Sequence, residues 1–340
     1  MSVLMRILFL VICSLLVPVA LVAQQAHVTR VQWARADSVA ACYSGHPVTD
    51  LKVLSDKLTV PLATDDEKFR AIYTWVCTNI EYDYTLFKTN QHQTFKLKDD
   101  PVALEAWRRP FSQRVFRELV RHHRTVCTGY AYLLRELAHH AGIHCVMVHG
   151  YGRSGQVNVR GDGYANHSWN AVQLGGQWYL CDATWSSGSI DASLGIFIKD
   201  YNDKYFLAEP ALFARNHYPL DTAYLYLREK PSLHDFLYAP IIYSNIYDYK
   251  TMPLIPSTFD VDVVKGEPVM FEFRKGAGAE MDHVTVRKGT SSEDVVVVPV
   301  GGSDNNDRYF FDYTFNTRGR QIVHVLIDDQ YAWTYTVHVK

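Results

Sequence analysis

The sequence has 340 residues, of which 48% are apolar and 21% are charged. This composition can bury a sizeable core, so we expect a folded chain with more than one domain and exclude a disordered or collagen-like one. Lys and Arg number 34 against 36 Asp and Glu, which gives a formal charge of -2, and no Lys/Arg-rich run stands out. The balance gives no indication of a nucleic-acid or anionic-membrane partner.

The first 23 residues have the layout of a secretory signal peptide. Arg6 precedes a continuous apolar stretch, 7–17, and small residues lead up to a cleavage position after Ala23. A membrane span is the alternative, but the whole apolar region up to Gln24 contains Pro18 and falls short of the roughly 20 residues that a bilayer requires. We therefore expect a secreted or periplasmic protein with no membrane span after signal cleavage.

Two helices are predicted ahead of the middle of the chain. Thr64 and Glu67 form the pattern of a capping box, which starts a helix. The apolar face of that helix follows the 3.6-residue period and comprises Phe69, Ile72, Tyr73, Val76, Cys77 and Ile80. A polar stretch, 88–100, is predicted to separate it from a second helix around 115–120.

The next helix carries a thiol at its N-terminal end. Cys127 precedes an apolar stripe that ends at Ala141, and Gly142 supplies a C-terminal stop. Unpaired N–H groups and a positive dipole end make a helix N-terminus favourable for a thiolate, as does a nearby imidazolium. The same amides would offer an oxyanion at least one donor. Cys127 is therefore a candidate nucleophile, although a lone cysteine is more often structural.

A strand pattern follows, and it brings an imidazole towards a carboxylate. The predicted strands are 143–151, 167–174 and 177–184. A Gly-Gly pair predicts a hairpin with Leu174 opposite Gln177. In this register His167 and Asp182 share one face as diagonal neighbours, and the backbone geometry of a hairpin places them within roughly 7 to 8 Å of each other. Such a carboxylate can hold an imidazole in one tautomer, as a nucleophile-activating base requires.

The C-terminal part shows only short strands. Seven are predicted, over 259–264, 269–273, 284–287, 295–298, 309–315, 322–327 and 331–339. With their Gly, Asp and Asn turns they indicate a small β-sandwich of immunoglobulin type. The predicted organisation is a signal peptide (1–23), a helical lead-in (24–58), an α+β core (59–240), a linker marked by prolines (241–256) and the sandwich (257–340).

Three blocks in this order resemble the transglutaminase-like core of papain-type thiol enzymes. They are Thr125-Val-Cys127-Thr-Gly-Tyr-Ala131, Asn166-His167-Ser-Trp-Asn170 and Trp178-Tyr-Leu-Cys-Asp182-Ala-Thr-Trp185. The resemblance covers roughly 58–184 and implies an α+β fold in which Cys127, His167 and Asp182 form a catalytic triad. More faintly, the stretch 204–219, which contains His217-Tyr-Pro219, and the sandwich are similar to the kyphoscoliosis peptidase group of that superfamily.

The resemblance implies a cysteine enzyme that acts on a protein or peptide substrate through an acyl-enzyme. Water would resolve the acyl-enzyme in a peptidase or amidase, and an amine would do so in a cross-linking transglutaminase. Nothing resembles the calcium-binding segments of animal transglutaminases, and the resemblance to the kyphoscoliosis peptidase group slightly favours hydrolysis. The alternative is a non-catalytic surface or adhesion module, and in either case the sandwich is a candidate for contact with a cell-surface or cell-wall polymer.

No cofactor and no metal site is predicted. The histidines at 139, 140 and 144 and Cys145 suggest zinc only superficially, because Gly142 breaks the helix between them. A second oxyanion donor is not assignable: Trp75 and Trp107 lie upstream, as an indole donor would, but match no motif. Tyr82 and Tyr84 are candidates either for the lining of a cleft or for core packing.

Five cysteines remain after the signal peptide: Cys42, Cys77, Cys127, Cys145 and Cys181. An odd number in an oxidising compartment points to a free thiol, although buried unpaired thiols are equally ordinary. Pairing of Cys42 with Cys77 is one alternative, and the sequence does not choose among the pairings of the four cysteines other than Cys127.

Overall fold

In the computed structural model the chain is described at residues 33–155, 164–191, 193–302 and 307–340. The predicted signal peptide, 1–23, lies outside these residues. Within them, no helix combines the length and the apolar character that a membrane crossing needs.

Helices make up the first part of the described chain. They are α1 (Trp33–Cys42), α2 (Leu51–Thr59), α3 (Asp65–Asn79), α4 (Tyr84–Lys96), α5 (Pro101–His122) and α6 (Cys127–His140). The predicted capping box is confirmed, because the Thr64 hydroxyl accepts from the Glu67 amide while the Glu67 carboxylate accepts from the Thr64 amide. The predicted apolar face of α3 is buried and packs on Leu133, Leu134 and Leu137 of α6. This packing fixes the helix that carries the thiol.

The polar stretch 88–100 is not the separator that the sequence predicted, because most of it belongs to α4. The Asp83 carboxylate caps this helix by accepting from the Leu86 amide at 2.9 Å. Only Leu86 and Thr94 of α4 are buried, so the helix has almost no apolar face for a periodicity to reveal.

A four-stranded antiparallel sheet packs against α6. Its strands lie in the order β5 (Gln177–Cys181), β4 (His167–Leu174), β3 (Cys145–Gly152) and β8 (His217–Pro219). The predicted hairpin register is confirmed, because Leu174 pairs with Gln177 and Asn170 pairs with Cys181. These elements give the α+β arrangement that the sequence predicted.

The third predicted strand ends at Cys181, three residues earlier than expected. The Asp182 carboxylate turns the chain, because its Oδ1 accepts from the amides of Thr184 at 2.8 Å and Trp185 at 3.2 Å. Asp182 is thereby the N-cap of the short helix α7 (Ala183–Ser186). The strand prediction therefore failed where a side chain competes with the ladder for backbone amides.

Short elements connect the sheet to the rest of the chain. They are β1 (Glu81–Tyr82) and β2 (Arg124–Thr125), which pair in parallel; the hairpin β6 (Gly188–Asp191) and β7 (Ile196–Lys199); the helices α8 (Pro210–Phe213) and α9 (Leu233–Tyr238); and a 3₁₀ turn (Thr222–Leu225). The β1–β2 ladder pairs Tyr82 with Thr125, two residues ahead of Cys127. It therefore anchors the segment that enters α6.

The C-terminal part forms two sheets around a common apolar core. The strands are β9 (Ile241–Ile242), β10 (Met252–Ile255), β11 (Asp260–Val263), β12 (Pro268–Arg274), β13 (Val284–Lys288), β14 (Ser291–Val295), β15 (Val298–Pro299), β16 (Arg308–Thr314), β17 (Gly319–Ile327) and β18 (Gln330–Val339). One sheet has the order β10-β12-β16-β15 and the other β11-β18-β17-β13-β14, with β9 also paired to β18. Phe271 and Phe273 of the first sheet share a core with Val325 and Trp333 of the second. The immunoglobulin type of this sandwich stays a prediction.

Two C-terminal expectations differ from the structure. The segment 241–256, predicted as a linker, pairs through β9 with β18 and through β10 with β12, and the helix α10 (Ile246–Tyr249) lies between. The predicted strand 295–298 is two strands, because Val295 pairs with Val284 in one sheet and Val298 pairs with Phe310 in the other. The chain crosses between the sheets at this point.

All five described cysteines are free thiols, so the Cys42–Cys77 pairing is not formed. Cys42 is exposed, whereas Cys77, Cys145 and Cys181 are buried among apolar side chains. Burial raises the pKa of the Cys145 thiol to about 12 and raises those of Cys77 and Cys181 well above their ordinary value. These three thiols therefore act as small apolar residues.

Candidate active site

Cys127 is the first residue of α6 and is 7% exposed. The thiol lines a cavity of about 440 Å³, which we call the thiol cavity. The amides of Gly129 and Tyr130 bond to the carbonyl of Val126, so the helix begins at the thiol itself. The predicted placement at a helix N-terminus is confirmed, which makes the first amides of the helix candidate donors to an oxyanion.

His167 is the first residue of β4 and lines the same cavity. Its Nε2 donates to Oδ2 of Asp182 at 2.7 Å. Because Nε2 is committed to the carboxylate, Nδ1 is the ring nitrogen left for the Cys127 thiol. The indole of Trp185 stacks on the imidazole with ring centroids 4.9 Å apart. The structure therefore brings together the three side chains that the sequence singled out.

The charges around His167 favour its protonated form. Burial alone would lower the pKa of the imidazole, but the Asp182 carboxylate and the hydrogen bond with the Cys127 thiol raise it to about 10. An imidazole in this setting can stabilise a thiolate or receive the proton that the thiol gives up.

Asp182 is completely buried and held at both its side chain and its backbone. Its amide donates to the carbonyl of Tyr205 at 3.0 Å, and its carbonyl accepts from the hydroxyl of Tyr73 at 2.9 Å. Burial opposes ionisation, yet the imidazoles of His167 and His217 keep the pKa of this carboxyl well below its ordinary value. Asp182 is therefore a carboxylate at neutral pH.

The sequence analysis gave His217 no role, and the structure places it against the same carboxylate. Its Nε2 lies 3.0 Å from Oδ2 of Asp182, and the ring is fully buried. Burial lowers the pKa of His217 to about 4, so this imidazole is neutral at pH 7 and donates through Nε2. Its strand, β8, pairs with β3 so that His217 lies opposite Gly152, a long-range pairing that no local pattern indicates.

Among the described residues, one group has ligand atoms close enough to hold a metal ion, namely His167, Asp182 and His217, within 4.8 Å of one another. Both Nε2 atoms already donate to one carboxylate oxygen, and each of the three side chains is buried. The donor set is therefore satisfied as a hydrogen-bonded network. The zinc cluster around Gly142 that the sequence analysis rejected is not among the metal-capable groups of the described chain.

A second cavity, of about 480 Å³, is also lined by His167, and we call it the aromatic cavity. The two cavities share Phe87, Gln91, Asn166 and His167. The second cavity is lined by the aromatic rings of Tyr82, Tyr84, Phe87, Trp185, Phe197, Tyr205 and Tyr243. Tyr84 therefore lines a cleft, whereas Tyr82 both lines the cleft and packs against the apolar core.

Neither tryptophan considered as an oxyanion donor faces the thiol. Trp75 donates from Nε1 to the carbonyl of Tyr43 at 2.7 Å, and Trp107 donates from Nε1 to Oδ1 of Asn90 at 3.1 Å. Neither side chain is among the described residues that line the two cavities. The amides at the start of α6 therefore remain the candidate donors.

Comparison with known proteins gives the class of this site. Residues 52–183 match the family model of the transglutaminase-like superfamily, and this range contains Cys127, His167 and Asp182. This part of the chain is therefore a transglutaminase-like domain, and the resemblance stated from the sequence is confirmed.

The similar proteins include members of the group to which the sequence already pointed. Kyphoscoliosis peptidase of Mus musculus and that of Homo sapiens are each 32% identical over 236 residues, which cover 66% of this chain and 33% of theirs. Hillarin of Drosophila melanogaster is 29% identical over 137 residues, 36% of this chain and 16% of that one. The chain thus spans about a third of the length of the two peptidases. A solved structure described as a TGase is 16% identical with a TM-score of 0.28, over 54% of this chain and 38% of that one, and adds nothing to the assignment.

Proposed function

We propose that this protein is a cysteine amide hydrolase, a peptidase or amidase, whose triad is Cys127, His167 and Asp182. The observation that carries the proposal is the imidazole of His167, which bonds to a buried carboxylate and lines one cavity with a thiol at a helix N-terminus. The transglutaminase-like domain and the similarity to kyphoscoliosis peptidases support a cysteine-based enzyme.

The reaction follows from this arrangement. The proton of the Cys127 thiol is held on Nδ1 of His167, whose charged form the site favours, and the Cys127 thiolate attacks the carbonyl carbon of an amide. The amides at the start of α6 stabilise the oxyanion, and the imidazolium returns the proton to the departing amine, which leaves a thioester. Water then attacks the thioester with His167 as base and releases the acid. Asp182 keeps the imidazole in one tautomer and stabilises its charged form.

The charges of the cavities favour water over an amine as the acceptor. Their described lining includes Arg108 in the thiol cavity and Lys88 in the aromatic cavity, and none of these described residues is an Asp or Glu. A lysine ammonium, which a cross-linking reaction requires as acceptor, would meet like charge and no carboxylate partner. Hydrolysis therefore remains the favoured reaction.

The proposal includes secretion, which rests on residues 1–23 alone. N-terminal sequencing of the protein recovered from its native host should begin at Gln24, and a chain that keeps Met1 would contradict export by signal cleavage. Polymer contact through 257–340 stays a sequence-based prediction.

The first test is the loss of hydrolysis in Cys127→Ala. Release of new amino termini from a casein substrate should fall on the order of a million-fold, because the reaction loses its nucleophile. The matched control is Cys42→Ser, since Cys42 is the exposed free thiol outside the cavities and should be dispensable. Hydrolysis that persists in Cys127→Ala would overturn the assignment.

The second test separates the proposed enzyme from a non-catalytic binding module and from an acyltransferase. Iodoacetamide labelling of Cys127 should fall sharply in His167→Ala, and equal labelling in both proteins would favour the binding module. A labelled primary amine offered together with a Gln-bearing protein should remain unincorporated by mass spectrometry. Incorporation without cleavage would identify an acyltransferase instead.

A further inference from the structure

The buried carboxylate of Asp182 serves two imidazoles at once. Its Oδ2 accepts from Nε2 of His167 at 2.7 Å and from Nε2 of His217 at 3.0 Å, while Oδ1 is occupied by the first amides of α7. His217 is fully buried and lines neither cavity, so it cannot touch a substrate there. Any effect of His217 on the reaction must therefore pass through Asp182.

His217 is itself held from three sides. The ring of Phe213 stacks on it with centroids 3.9 Å apart and planes at 17°. Its strand is paired with β3, and its Nδ1 lies 2.7 Å from Oδ1 of the Asn216 side chain. A donor fixed in this way restrains the plane of the carboxylate, and hence the direction of the bond from Asp182 to His167.

The support continues into the C-terminal part of the chain. The side-chain amide of Asn216 also bonds to the hydroxyls of Tyr205 and Tyr247, each at 3.2 Å. Tyr247 belongs to α10, which lies between the strands β9 and β10 of the two C-terminal sheets. A continuous line of polar contacts thus joins α10 to the carboxylate.

We propose that His217 is a positioning residue, which holds Asp182 and through it His167 in the geometry that the reaction needs. Asn216 and Tyr247 connect this support to the C-terminal sheets. The inference rests on the proposed triad but assigns a fourth residue, one that never contacts the substrate.

The test compares His217→Phe with His217→Gln in the full chain. The phenyl ring keeps the stacking on Phe213 and removes the donor, so kcat should fall about ten- to a hundredfold with KM nearly unchanged, the loss expected when one hydrogen bond to a charged group is removed. Glutamine supplies an N–H near the position of Nε2 and should recover most of that loss. If His217 had a merely structural role, kcat would fall equally in both variants or stay unchanged in both, and either result would overturn the proposal.

A second readout needs no substrate. In a Cys42→Ser background, the rate of iodoacetamide labelling at Cys127 should fall in His217→Phe and recover in His217→Gln. A labelling rate that depends on His167 but not on His217 would contradict this inference and leave the proposed triad unaffected. Labelling that depends on neither would sink the proposed function instead.

If His217→Phe fails to fold, a milder variant still tests the proposed support of Asp182. Tyr247→Phe removes one hydroxyl from Asn216 and leaves the ring in place, so it should lower kcat a few fold at an unchanged melting temperature. Wild-type kcat in Tyr247→Phe would overturn the connection to the C-terminal sheets. In that case His217→Gln, which keeps a donor, should still retain more labelling of Cys127 than His217→Asn, whose shorter side chain does not reach.

Discussion

Two histidines that share one carboxylate have pKa values shifted in opposite directions, because burial outweighs the carboxylate at only one of them. His167 stands beside a thiol at the edge of a cavity, and the Asp182 carboxylate raises its pKa to about 10 against the effect of burial. His217 is enclosed by rings, and burial lowers its pKa to about 4 in spite of the same carboxylate. Asp182 therefore balances one cation while it accepts a neutral hydrogen bond, which keeps the buried cluster close to neutral.

This assignment predicts a pH-dependent stability for Asp182→Asn. Below about pH 6.5, the ordinary pKa of histidine, the raised pKa of His167 contributes its full stabilisation, which is lost as the pH rises through about 10. The lowered pKa of Asp182 contributes above its ordinary value of 3.8, and that contribution is lost as the pH falls towards the lowered pKa. The wild-type advantage in unfolding free energy should thus be greatest between about pH 4 and 6.5, at about 3 kcal/mol.

Urea unfolding at pH 5.5, 7.5 and 9.5 measures the difference between the two proteins. The pKa of His217 is lowered to about 4 beside the carboxylate and would be lower still without it, so His217 is neutral in both folded proteins at these pH values and its titration cancels in the difference. A difference that grows towards pH 9.5 would contradict the ion pair between Asp182 and His167.

At the scale of elements, the start of α6 is fixed by a close approach to β2. A Cβ atom built on Gly129 would lie 1.9 Å from Oγ1 of Thr125, so only glycine lets the first turn of α6 lie against this strand. The β1–β2 ladder holds Thr125 in place. The position of Cys127 therefore depends on a contact two residues further along its own helix.

Gly129→Ala should consequently destabilise the protein, although alanine favours a helix over glycine by about 1 kcal/mol. The clash outweighs that preference and displaces the first turn, so both the melting temperature and the labelling rate of Cys127 should fall. His140→Ala, at an exposed position of the same helix, is the control and should change the unfolding free energy by less than about 0.5 kcal/mol. A stabilised Gly129→Ala protein would show that helix propensity decides at this site.

Elements set by local chemistry could be predicted from the sequence, and those set by distant pairing could not. The capping box of α3 and the hairpin register depend on residues a few positions apart, and both predictions are confirmed. Helix α4 has almost no buried face, so its sequence carries no period. The strand that bears His217 is defined by its pairing with β3, more than sixty positions away, and the sequence analysis accordingly quoted His217 without giving it a role.

At the scale of the whole molecule, too, distant pairing could not be predicted from the sequence. The C-terminal sheets and the core are joined through the segment that was predicted as a linker. Its prolines suggested a break in structure, but Pro253 lies in β10 at the edge of a sheet, where a missing amide is tolerated. Ile242 of β9 and the next residue, Tyr243, also line the aromatic cavity. The composition of the segment shows that it differs from its surroundings, but it does not indicate that the segment pairs with β12 and β18.

Leu212 makes this connection testable. In the sequence, Leu212 lies in α8, between strands β5 and β8 of the four-stranded sheet. Its side chain, however, is buried in the core of the C-terminal sheets. Leu212→Ala should lower the unfolding free energy by about 2–5 kcal/mol, because the vacated space is enclosed by side chains of both parts. The exposed Val264→Ala in the C-terminal part is the control and should be nearly neutral.

Hydrogen exchange measured by mass spectrometry then reports on the two parts separately. If the core and the C-terminal sheets unfold together, peptides from β4 and from β17 should lose protection by the same factor in Leu212→Ala. A loss confined to β17 would mean that the sheets open on their own, since α8 would then be anchored to the core alone. We expect joint loss, because contacts connect the C-terminal sheets to the rest of the chain. The ammonium of Lys204 pairs with Asp248 of α10 at 2.8 Å, and the amide of Tyr243 donates to the carbonyl of Ala332. Opening the sheets would therefore also disturb the segment that holds Asn216 and His217.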